Sequence, residues 1–135
     1  MSDQVQKNIQ VLKHWFETVC KCDINEIMKE WEEISTENYW IHDPSTPNLQ
    51  PGRDKYLESF EQDMKNTAER RIDIEDMFGE EDKVVTLGTY EFVEVKTREK
   101  KKMMVIGISR FENGKIAEEW QVMAPVTSSS GCNEH

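Results

Sequence analysis

The side chains best suited to move a proton fall at two places in this chain. His42 is followed by Asp43 and Pro44, and a neutral imidazole near pH 7 can accept a proton or donate a hydrogen bond to a substrate oxygen. Glu118 stands two residues before Trp120, and an apolar wall around it would raise its carboxyl pKa towards the range of a general base. Asp43 and Glu118 together could form a two-carboxylate site whose separation the chain spacing does not fix. Each residue has a bland alternative. His42 and Asp43 could merely cap the turn at Pro44, and Glu118 could pair with Arg110 on a neighbouring strand, which is the weightier reading for that carboxylate.

Trp15, Trp31, Trp40 and Trp120, with Tyr39, Tyr56, Phe60, Met64 and Tyr90, are more large apolar groups than a small core needs. Some are therefore expected to line a cavity or an interface. The expected ligand-binding set is Trp120, Tyr39, Trp40, Tyr56 and Phe60, with Val122 and Ala124 on the last strand. A phosphate-cradling glycine loop, a Gly-x-Ser-x-Gly elbow and His pairs at metal-ligand spacing are all missing from the sequence. The chemistry is accordingly expected to use no metal and no cofactor.

The elements that must position these residues follow from periodicity. Val5, Ile9, Leu12, Phe16 and Val19 recur at three- and four-residue intervals and predict an amphipathic helix. Asp23 is the expected N-cap of a second helix, with Glu26 completing a capping box and an end near Ser35. Thr36 to His42 is a short β-prone run ended by Asp43-Pro44. A third helix is expected after Pro51-Gly52, with Tyr56, Leu57, Phe60 and Met64 on one face. Beyond Thr67 the helical period is lost, and strands are expected over 70–78, 83–95, 101–112 and 115–124, with Asn113-Gly114 as a hairpin turn. Gly88 and Gly107 mark mid-strand bends or close approaches.

Helices first and strands afterwards define an α+β fold, with helices gathered on one face of a curved antiparallel sheet. Strict alternation on the last strand puts Ile116, Glu118, Trp120, Val122 and Ala124 on the pocket wall. It leaves Ala117, Glu119, Gln121 and Met123 on a mixed outer face that could meet another subunit.

The chain has 135 residues, a length for one domain expected over 1–126. Residues 127–135 have almost nothing to bury and are expected to form a flexible tail. Seventeen Lys and Arg against 27 Asp and Glu give a formal net charge of −10, which disfavours nucleic acid and anionic membranes as partners. With no basic leader and no long apolar run, the expected address is the cytoplasm. An odd count of three cysteines argues against a disulfide framework.

His42-Asp43-Pro44, Gly52-Arg-Asp54, Asp82-Lys-Val-Val85 and above all the run from Arg110 to Trp120, set in this element order, resemble the SnoaL-like family of the nuclear-transport-factor-2-like superfamily. The resemblance spans roughly residues 5 to 125 and implies a cone-shaped α+β barrel. It implies a small-molecule ligand, a homodimer paired through its convex sheet faces, and a His42 that reaches the pocket. The same cone serves cyclases, isomerases, dehydratases, hydrolases and non-catalytic proteins, so a non-catalytic dimeric binding or interaction module is the alternative reading. In the polyketide cyclases of the family an Asp acts as acid/base four residues after the Trp that matches Trp120. Here that position is Ala124, whose methyl group cannot carry a proton.

Overall fold

The computed structural model describes residues 2–126, so the expected tail lies outside the described residues. The elements are α1 (Asp3–Lys21), α2 (Ile24–Ile34), β1 (Ser35–His42), α3 (Arg53–Lys65), β2 (Thr67–Glu80), β3 (Lys83–Glu94), β4 (Lys100–Glu112) and β5 (Lys115–Pro125). Asp23 caps α2 as its sequence requires, its side chain accepting a hydrogen bond from the Glu26 backbone N–H at 3.0 Å. Ser2 does the same for α1 through Val5.

The five strands form one sheet in the order β1-β5-β4-β3-β2. The meander β2 to β5 is antiparallel throughout, whereas β1 enters the edge parallel to β5, so the sheet is mixed. The parallel edge follows from α3, which carries the chain from the end of β1 across to the far edge strand. Asn113 and Gly114 both have positive φ, 51° and 81°, the backbone that the Asn-Gly turn favours. A Cβ on Gly88 would lie 2.6 Å from the Asp73 carbonyl oxygen, so this glycine does mark a close approach; Gly107 is not crowded in this way.

The helices cover one face of the curved sheet, and the core lies between them. Trp31 is 1% exposed and Tyr39 is fully buried; their rings meet edge-on at 4.8 Å. Tyr56 and Phe60 of α3 stack on each other and pack against this cluster. Among the described residues no helix is long and apolar enough to cross a membrane.

Strict alternation fails at one point on β5. The register shifts between Arg110 and Phe111, so that Phe111 pairs with Ile116 while Arg110 pairs with Glu118. Ala117 is the extra residue of this bulge, and Ile116 and Ala117 are both buried, at 0% and 6% exposure. Glu118, Trp120, Val122 and Ala124 share one face as expected. That face is the open one, away from the helices, and Ile116 points to the opposite side. Glu119, expected outside, points to the helix-covered side instead, where it meets the buried Tyr39, and Gln121 reaches Asp43 at the pocket. A bulge adds one residue without any special residue type, which is why alternation alone places this strand the wrong way round.

Candidate functional site

β1 and β5 bring the two sequence-distant groups together. Trp40 pairs with Glu118 and His42 with Trp120 across the parallel ladder. His42 Nε2 lies 2.6 Å from Glu118 Oε2, and Arg110 Nε donates to Glu118 Oε1 at 3.2 Å. The imidazole stacks on Trp120 with ring centroids 5.2 Å apart and planes 15° apart, and the Trp40 ring packs against the same imidazole, tilted by 45° at a centroid distance of 4.3 Å. The hydrogen bond from His42, reinforced by Arg110, holds the Glu118 carboxyl below the ordinary carboxylate range against a smaller opposing effect of burial. Glu118 is thus an ionised partner, and the expected apolar elevation of its pKa does not occur.

A pocket of about 480 Å³ opens where β1 ends beside β5. Trp40, His42, Ile106, Ile108, Trp120 and Val122 contribute from the open face, and the loop from Asp43 to Leu49 forms its rim. Glu118 does not line it. The carboxylate therefore sits behind the imidazole, where it can fix ring and tautomer. If Nε2 carries the proton shared with Glu118, Nδ1 remains as an acceptor.

Asp43 lines the pocket, yet its oxygens are committed. Oδ1 accepts from the Ser45 backbone N–H and hydroxyl, both at 2.8 Å, and Oδ2 accepts from Gln121 Nε2 at 3.2 Å. The turn-forming reading of Asp43 accounts for these contacts. Of the expected ligand set, Trp40, Trp120 and Val122 line the pocket. Tyr39, Tyr56 and Phe60 belong to the core on the opposite side of the sheet, because Tyr39 alternates with Trp40. Ala124 pairs with Met104 further along the open face and is not part of the pocket lining.

The helix-covered side holds a polar group that sequence reasoning missed. Glu119 accepts hydrogen bonds from Tyr39 at 2.6 Å and from Ser109 at 2.5 Å. Burial raises its pKa, and the two hydroxyl donors only partly offset this. The same burial, with Glu119 nearby, raises the Tyr39 phenol well above its ordinary value. The Ala117 bulge is the only device that turns Glu119 inward, so no residue-type signal could have marked it. Among the described residues there is no cluster of three or more His, Cys, Asp or Glu arranged to hold a metal ion.

The helix-filled curved sheet, with a pocket at the β1–β5 edge, defines a nuclear-transport-factor-2-like α+β protein. The profile of the SnoaL-like polyketide cyclase family matches residues 11–128, and the chain belongs to that family. Solved structures agree on the fold. A protein of Jannaschia sp. CCS1 assigned as a SnoaL-like polyketide cyclase aligns with a TM-score of 0.76 and 12% identity, over 91% of this chain and 89% of that one. An assigned polyketide cyclase of Acidithiobacillus ferrooxidans gives 0.75 and 18%, over 91% of each chain. An epoxide hydrolase of M. tuberculosis gives 0.71 and 10%, over 90% and 85%. No curated protein matches the chain by sequence.

Proposed function

We propose that this protein binds a small, partly apolar, oxygenated molecule in the pocket at the end of β1, and that His42 is the group that exchanges a proton with it. The observation that carries this reading is the placement of His42. Its ring lines an otherwise largely apolar pocket, and its Nε2 is held by a carboxylate from outside that pocket. A base so oriented keeps one nitrogen for the ligand, and a charge developing on the ring meets Glu118 at once. Glu118 is then a positioning residue. The chemistry this supports is enolisation or a related proton shift next to a carbonyl, as in cyclase or isomerase reactions, with no step assigned to Ala124. Asp43 acts through the loop that it shapes.

The chain is also read as a homodimer. The apolar residues of its open sheet face support this, and they are Phe78, Met104, Ile106 and Val122 rather than the expected Ala117 and Met123. A non-catalytic binding module keeps the same pocket, and Ala124 at the family's acid/base position favours it.

The test is a tryptophan-fluorescence titration with benzylideneacetone, a neutral aromatic enone. Wild type is expected to quench saturably, Trp120→Phe to lose most of that quenching, and His42→Ala to bind more weakly with a melt lowered only by loss of the Glu118 contact, no further than Glu118→Gln lowers it. A His42→Ala protein that binds as wild type does but melts much lower would make His42 a turn residue only.

A further inference from the structure

β5 outlasts its neighbour. The parallel ladder ends with His42 paired to Trp120, whereas β5 continues to Pro125 against β4 alone. One hydrogen bond fixes the backbone direction along this stretch: the Val126 N–H donates to the Lys102 C=O at 2.9 Å. The N–H and C=O of a strand residue point to one side and alternate along the chain, so the even-numbered residues of β5 from Trp120 onwards turn theirs to β4. Gln121 and Met123 turn theirs the other way, towards the line that β1 has left.

β1 leaves that line for a chemical reason. In a parallel ladder continued past His42 and Trp120, the Gln121 C=O would accept from the N–H of the next even residue of β1, which is Pro44 and has none. Among the described residues, the N–H groups of Ser45, Thr46 and Leu49 are used inside the loop. None of them reaches the Gln121 C=O, and no residue beyond His42 pairs with Met123 from that side. The next edge-facing position of β5 is Pro125, which has no N–H either. The edge therefore offers one donor, the Met123 N–H, just beyond an acceptor, the Gln121 C=O. Bounded by two prolines, it can add one extended residue but not a strand.

We propose that the pocket at the end of β1 takes a peptide-like small molecule, a single extended residue with an amide on each side, whose N–H donates to the Gln121 C=O and whose C=O accepts from the Met123 N–H. This rests on the ligand-binding reading above and narrows its oxygenated ligand to a secondary amide. Gln121 and Val122 line the pocket, so the unpaired edge opens into it. A residue that continues the ladder from His42 puts its side chain on the same face as His42, beside Val122 and the Ile106 that pairs with it. Both line the pocket and are about half exposed, at 53% and 45%, so an apolar side chain there gains by covering them. At about 480 Å³ the pocket has room for one such residue with its two amides.

Amide ¹H–¹⁵N NMR titrations of the whole chain test this with N-acetyl-L-leucine N′-methylamide, with its ester analogue in which oxygen replaces the leucine N–H, and with benzylideneacetone. The diamide should bind, move the Met123 N–H resonance downfield and slow its exchange with solvent, while the Ala124 N–H, turned to β4, changes little. The ester analogue should bind about fivefold or more weakly, the worth of one neutral hydrogen bond. Met123→Pro removes the donor at a position where an edge strand tolerates proline, and it should weaken the diamide by a similar factor. Should that variant fail to fold, the ester comparison decides. An enone that binds while the diamide does not, an ester that binds as tightly as the diamide, or a Met123 resonance unmoved at saturation would each overturn the inference and leave the ligand reading standing. If neither enone nor diamide binds, both fall.

Discussion

His42 and Glu118, 76 positions apart in sequence, meet at 2.6 Å across the parallel β1–β5 edge. Everything chemical in this molecule depends on that edge. A parallel pair needs a long crossover, and here the crossover through α3 and the meander brings the last strand back beside the first.

Removing the imidazole should affect binding more than folding. His42→Ala loses one neutral hydrogen bond to the ligand, which is worth about 1 kcal/mol, and somewhat more if the ligand oxygen is left buried and unpaired. Isothermal titration of the enone, with thermal melts as control, reads both quantities. An unchanged affinity would count against a ligand contact.

Glu118 and Glu119 should oppose each other in their pH dependence. The Glu118 pKa is lowered in the folded state, so its stabilising contribution is present above the unfolded value of about 4.3 and is lost as pH falls through the folded value. The Glu119 pKa is raised, so stability is lost as pH rises from the unfolded value through the folded one. Glu119→Gln can keep both hydroxyl contacts, and it should abolish the second dependence and raise the melting temperature at neutral pH. Glu118→Gln should abolish the first and lower that temperature. Melts of the three proteins between acid and neutral pH check the signs, and a Glu119→Gln protein less stable than wild type at neutral pH would contradict the assignment.

The helices and strands were legible because period and punctuation agree. Asp23, the Pro51-Gly52 break and Asn113-Gly114 stand within a residue or two of the element ends they predict. The pairing of Glu118 with Arg110 was legible too, because both lie in strands joined by a two-residue turn. The facing of β5 was not. A bulge at Ala117 carries no special residue and reverses the set that follows, so Glu119 became visible only through its contacts with Tyr39 and Ser109. The parallel edge also lay beyond sequence, because pairing of β1 depends on where α3 and the meander lead the chain.

Gly88 should tolerate no side chain. A Cβ there would meet the Asp73 carbonyl oxygen at 2.6 Å, and because that atom is backbone it can yield only if β2 and β3 separate. Gly88→Ala should cost about 1–3 kcal/mol in chemical denaturation. Gly107→Ala, whose nearest atom would be 3.5 Å away, should cost far less. Equal losses at the two positions would show that propensity and not crowding governs these sites.

Ala124→Asp alone should not produce cyclase activity. The new carboxyl would stand beside Met104 on the open face, away from the pocket lining, and a catalytic group works only when its surroundings already hold it in place. Turnover of a ketoester cyclisation substrate by this single variant at ordinary enzyme rates would contradict the geometry.

The most direct measurement is long-range ¹H–¹⁵N NMR of the His42 ring near pH 7, with and without benzylideneacetone. In the neutral ring the proton is expected at Nε2 towards Glu118, with an acceptor Nδ1 whose resonance moves on ligand addition while Nε2 stays nearly fixed. A ring protonated at Nδ1, or a saturating ligand that moves neither nitrogen, would contradict the claim that Glu118 holds His42 as the proton acceptor of this pocket.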